Sequence, residues 1–84
     1  MTKAELVHEL DQLNVDPRSY SFDELFVSEQ YVLVPSQGGI WHVYYAQRGE
    51  RSGLREFASE SEAYSYFLGL LTRDKTTRLK IGYN

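Results

Sequence analysis

Two β-rich runs facing each other across a glycine turn set the strongest constraint on this chain. "QYVLV" (Gln30 to Val34) and "IWHVYYAQ" (Ile40 to Gln47) are β-branched and aromatic, and Pro35 with "SQGG" stands between them. Such runs favour extended backbone, and a loop of about four residues can join them only as an antiparallel hairpin. "RGE" turns the chain again into a weaker third strand, Arg51 to Phe57, interrupted by Gly53. Neither connection is long enough for a crossover, so the meander is antiparallel.

Helical patterns flank it. Thr2 with Glu5 has the spacing of a capping box, and Leu6, Val7, Leu10 and Leu13 follow as one apolar stripe. "NVDP" (Asn14 to Pro17) ends that helix, because a residue before proline is steered out of the α region. Arg18 to Glu29 is a connection carrying Tyr20, Phe22, Leu25 and Phe26 as core plugs, with a short helical turn over 23–26. Ser59 with Glu62 repeats the capping spacing, and Ala63, Tyr64, Phe67, Leu68 and Leu71 form a broad second stripe. The resulting expectation is a two-layer α+β domain of order α-β-β-β-α, a three-stranded antiparallel meander with both helices on one face. The whole chain, 1–84, forms a single domain, with 72–84 a mobile tail or a short added edge segment.

Composition narrows the function classes. There is no cysteine, which removes disulfides, thiolate nucleophiles and Cys-based zinc sites. His8 and His42 lie far apart without ligand spacing, and no serine sits in a nucleophile elbow, so neither a metal, a cofactor nor an enzyme is expected. No apolar run suits a bilayer or a signal peptide, which points to a cytoplasmic protein without a membrane partner. The net charge of −3 is unevenly placed. Residues 1–29 hold seven acids against two bases, whereas the chain from residue 48 onward holds seven bases against five acids. An acidic first third suits a basic protein partner.

Two surfaces are candidates for that partner. Asp16, Tyr20, Asp23, Glu24 and Glu29 combine carboxylates with aromatics, the composition of an interface with a desolvated centre and a charged rim. On the central strand, alternation assigns Trp41, Val43 and Tyr45 to the core face and leaves His42 and Tyr44 on an open face, with Arg48 at the turn beside them. The alternative is an RNA- or single-stranded-DNA-binding module using Tyr44, His42, Arg48 and Arg51 for stacking and phosphate contacts, with Arg55 near them. The acidic balance and the lack of an RNP-like motif argue against nucleic acid. A homodimer paired through an exposed sheet edge is compatible with either reading.

"LDQLNVDPRSYSF" (Leu10 to Phe22), "YVLV" (Tyr31 to Val34) and "WHVYYAQRGERSGLREFASESEAYSYFLGLL" (Trp41 to Leu71) together resemble a group of small bacterial proteins found beside polymorphic or contact-dependent toxin domains. That group carries a "GVDP"-like turn, a "WxVYYxERG" strand and turn, and an "FxxExEA" helix entry. The resemblance implies an immunity protein, one that binds a cognate toxin domain and blocks its active site. Gln47 stands where the group has an acid before "RG", and Asn14 where it has glycine.

Overall fold

A computed structural model describes residues 1–23 and 29–79. Helix α1 (Lys3–Gln12) opens on a complete capping box: Glu5 N–H donates to Thr2 Oγ1 at 3.1 Å and Thr2 N–H donates to Glu5 Oε1 at 2.7 Å. It ends in a Schellman motif. Asn14 takes φ 60°, its N–H donates to Asp11 O, and Val15 N–H donates to Leu10 O. Asparagine thus supplies the left-handed residue that glycine usually provides.

Strands β1 (Tyr20–Ser21), β2 (Gln30–Pro35), β3 (Trp41–Gln47) and β4 (Glu50–Phe57) lie in that order in one sheet, and helix α2 (Glu60–Arg73) follows. The β2–β3–β4 meander is antiparallel as expected. The strand count is a correction: among the described residues the sheet has four strands and is mixed, because Tyr20 and Ser21 pair in parallel with Tyr31 and Val32. A two-residue strand carries almost no periodicity, and partners eleven positions apart are joined by tertiary packing rather than by a local turn.

The β3–β4 hairpin closes over Arg48 and Gly49 alone, at φ 51° and 80°, the positive-φ pair that a type I′ turn requires. Gly53, at φ 66°, sits at a register shift where two residues of β4 oppose Tyr44, so the interruption read from the sequence is a β-bulge. Its consequence is a change of face. Arg55 pairs with Val43 and lies over the Tyr66 ring at 5.6 Å, while Arg51 pairs with Ala46 and lies over the Tyr44 ring at 5.1 Å. Four residues apart on an unbulged strand they would share a face.

The main core joins both helices to the near face of the sheet: Leu6 and Leu10 of α1, Leu33 and Val43 of the strands, and Ala63, Phe67 and Leu71 of α2 are all 1% exposed or less. Val7 and Leu13, expected in the α1 stripe, are instead 36% and 38% exposed, since α1 packs mainly on α2 and needs only a narrow seam. The second sheet face is also closed. Val32, Val34 and Tyr44 form a smaller cluster at 1%, 3% and 5% exposure.

Candidate functional site

The corner after α2 builds the most distinctive polar site. Asp74 caps a 3-10 turn (Lys75–Thr77), its Oδ1 accepting from Thr76 N–H at 3.0 Å and from the Thr76 hydroxyl. Thr77 is buried and its hydroxyl donates to Leu71 O at 3.0 Å, while the Arg78 guanidinium donates to Leu71 O and Thr72 O at 2.8 and 2.9 Å. These bonds satisfy the carbonyls that the last helical turn leaves orphaned and place a cation at the negative end of the helix dipole. Beyond the turn, Asp16 N–H donates to Thr77 O, Leu79 N–H donates to Asn14 O, and Val15 bridges Arg78. Residues 74–79 are therefore tied to the loop after α1, which holds Asp74 in place.

Across from this corner, Tyr31 and Tyr45 face each other on β2 and β3 with ring centroids 4.9 Å apart. The Tyr31 hydroxyl donates to Asp74 Oδ2 at 2.8 Å. Ser19, Glu29, Tyr31, Tyr45, Asp74, Thr76 and Thr77 line one cleft of about 220 Å³. Glu29 reaches it from φ 66°, an unusual conformation for a side-chain-bearing residue, with its N–H donating to Ala46 O. Hydrogen bonds from Thr76, then Tyr31, hold the Asp74 carboxyl below its usual range. Burial, with the Asp74 carboxylate next, pushes the Tyr31 phenol up to about 12; burial, then Glu29, raises Tyr45. The cleft therefore stays anionic with its phenols protonated at neutral pH. A carboxylate fixed at Asp74, beside neutral hydroxyls and with the exposed Glu29 at the same opening, forms a receptor for an N–H-bearing cation such as a lysine or arginine head.

The residues singled out from the sequence are distributed unevenly around this cleft. Glu29 lines it. Asp16 is spent on structure, capping the 3-10 turn Pro17–Ser19 and gripping Arg18 through Nε and a 2.8 Å contact to Nη2. Tyr20 is a half-buried core plug, edge-on to Phe67 at 6.3 Å and to Phe22 at 5.7 Å. Asp23 is exposed, with its N–H on Ser21 Oγ. Glu24, with the rest of the proposed turn over 23–26, lies outside the described residues. Arg48 is exposed in the I′ turn.

His42 and Tyr44 do share the second face, as alternation requires, but that face is not open. Tyr44 is 5% exposed with the Arg51 guanidinium over its ring, and His42 Nε2 is 3.0 Å from Glu56 Oε2. The basic rim is also divided, since the bulge sends Arg51 and Arg55 to opposite faces.

Tyr31, Tyr45, Asp74 and Thr76 escaped the sequence reading. Alternation places Tyr45 on the core face, and Asp74 lies in a stretch with little periodicity. The visible clue was "DKT", an Asp two residues before a Thr, which is the spacing of a side-chain cap on a turn. Among the described residues no group of three or more His, Asp or Glu could hold a metal ion, and no helix is long and apolar enough to cross a membrane. Comparison of the chain with protein-family models, curated proteins and solved structures finds no match.

Proposed function

We propose that the chain is an immunity protein, a non-enzymatic inhibitor that binds a basic cognate toxin domain in the cytoplasm and occludes its active site. The observation that carries this reading is the cleft: Asp74 fixed by Thr76 and Tyr31, with Glu29 and Tyr45 around the same opening. A preorganised acceptor site gains affinity because its side chains lose little freedom on binding. The exposed Asp23 and the excess of acid in residues 1–29 add long-range attraction for a basic surface. The likeness of Leu10–Phe22 and Trp41–Leu71 to immunity-protein motifs supports the same class.

The test is a binding titration against the purified toxin domain encoded immediately upstream. The wild-type chain is expected to form a one-to-one complex that abolishes toxin activity. Glu29→Gln with Asp74→Asn should weaken it by roughly tenfold or more, since truncating a buried charge contact at an interface centre costs about 2 kcal/mol or more. A complex of undiminished affinity with the double variant would remove the cleft from the interface. The absence of any toxin-like partner would overturn the class itself.

A further inference from the structure

We infer that the cleft between the Asp74 corner and the Tyr31–Tyr45 pair seats the primary ammonium of a lysine on the partner's surface and discriminates against arginine. This deepens the proposed function, and rests on it in that the lysine belongs to a basic protein partner. At about 220 Å³ the cleft falls below the roughly 300–1,000 Å³ of sites that enclose whole small molecules, so it suits one side-chain head. Among the described residues none that lines it is basic, and Arg78, whose charge reaches Asp74, is held by Leu71 O and Thr72 O at the helix end. That leaves the two carboxylates of the cleft to an incoming cation.

The acceptors of Asp74 select the head group. A carboxylate oxygen accepts about two hydrogen bonds. Asp74 Oδ1 already accepts from the Thr76 N–H and from the Thr76 hydroxyl, so it is full. Asp74 Oδ2 accepts from the Tyr31 hydroxyl at 2.8 Å and has one position left. Arginine's strength is a fork that donates two parallel N–H groups to the two oxygens of one carboxylate, and Asp74 can accept only one prong. An ammonium is a compact charge with separately aimed donors, and needs acceptors spread around a point rather than paired on one edge. The cleft supplies them as Asp74 Oδ2, the Glu29 carboxylate and the Tyr45 phenol oxygen. Burial, then Glu29, then Asp74 raises the Tyr45 phenol, which sets that oxygen within the field of both carboxylates, and among the described residues it has no hydrogen-bond partner. Glu29, exposed at the rim, can take an arginine fork, but an ion pair in open solvent contributes little.

The test needs no toxin. Backbone and tyrosine side-chain shifts are followed by NMR while acetyl-Gly-Lys-Gly-amide or acetyl-Gly-Arg-Gly-amide is added to about 100 mM at constant ionic strength, a range that reads one charged, hydrogen-bonded head. The lysine peptide is expected to bind about fivefold tighter, the worth of roughly one charge-assisted hydrogen bond, with its shifts centred on Tyr31, Tyr45 and Thr76. Thr76→Ala keeps the capping N–H and frees one position on Asp74 Oδ1, so the arginine peptide should gain about fivefold on that variant and the preference should vanish or reverse. A gain of binding cannot come from a misfolded corner. Equal affinities in the wild-type chain, shifts confined to Glu29, no saturable binding of either peptide, or a lysine preference untouched by Thr76→Ala would overturn the assignment. So would putrescine binding more than about tenfold tighter than the lysine peptide, which would mark a site for a free diamine. Any of these results would remove the lysine seat while the toxin complex could still form, whereas a missing toxin complex beside an intact lysine preference would count against the immunity role alone.

Discussion

Tyr44 and Tyr45 are neighbours on β3, and the sheet gives them opposite work. Tyr45 faces the helix side, meets Tyr31 at 4.9 Å and opens onto a cleft with Glu29 and Asp74. Tyr44 faces the other side, packs with Val32 and Val34 and is capped by Arg51. The helix side would be the natural place for a sealed core and the other side for an exposed surface. The order is partly inverted because the packed layer gives way, at the end of the sheet near Tyr45, to the Asp74 corner rather than to more apolar side chains. Exposure of an aromatic on a small sheet follows from what borders it, more than from which face it occupies.

The largest expected effect tests the covered side. Tyr44→Ala should cost about 3 kcal/mol or more of unfolding free energy by urea titration, the scale of deleting a buried aromatic. Tyr45→Phe should change stability by less than about 0.5 kcal/mol while weakening the partner complex. If Tyr44→Ala unfolds at the wild-type midpoint, or Tyr45→Phe is the more destabilised of the two, the contrast is broken.

Alkaline titration sharpens the other side. Tyr31 and Tyr64 have phenols pushed up to about 12, by burial first and then by their bonds to Asp74 and Glu60. For an acid whose folded pKa is raised, the stabilisation is present below the unfolded value of 10.0 and is lost as pH rises from there through 12. Phenolate absorbance should therefore rise in two stages, and Tyr31→Phe should remove part of the later one. A single stage near pH 10 would mean that the Tyr31–Asp74 bond does not form. Asp74 works in the other direction: its carboxyl is lowered below 3.8, so its contribution persists above that value and fades as pH falls through the lowered pKa.

The smallest effect lies at the hairpin tip. Arg48 occupies a positive-φ position that suits asparagine or glycine. Arg48→Asn should raise the unfolding midpoint by an amount worth about 0.5 kcal/mol. If the same change weakens the proposed partner complex, the arginine is retained for contact at a cost to the turn.

Much of the architecture was legible because it is locally encoded. Thr2 with Glu5, Ser59 with Glu62, the "SQGG" and "RG" turns and the Gly53 interruption each state their structure within a few residues, through hydrogen-bonding geometry and allowed φ. The candidate cleft was only partly legible. Glu29 stood out by charge, yet Tyr31, Tyr45 and Asp74 acquire their chemistry from one another across 43 positions of sequence, as the Tyr31–Asp74 bond shows.

By itself, then, the sequence determined the helices, the antiparallel hairpins and the face of each β3 side chain, since periods of 3.6 and two residues and the caps that bound them are properties of neighbouring residues. Only the tertiary structure decided that Tyr20 and Ser21 extend the sheet in parallel, that Asp74 to Leu79 dock on the loop after α1, and that Tyr44 is covered. Each of those rests on surfaces meeting from distant parts of the chain, where burial and paired polar groups outweigh local preference.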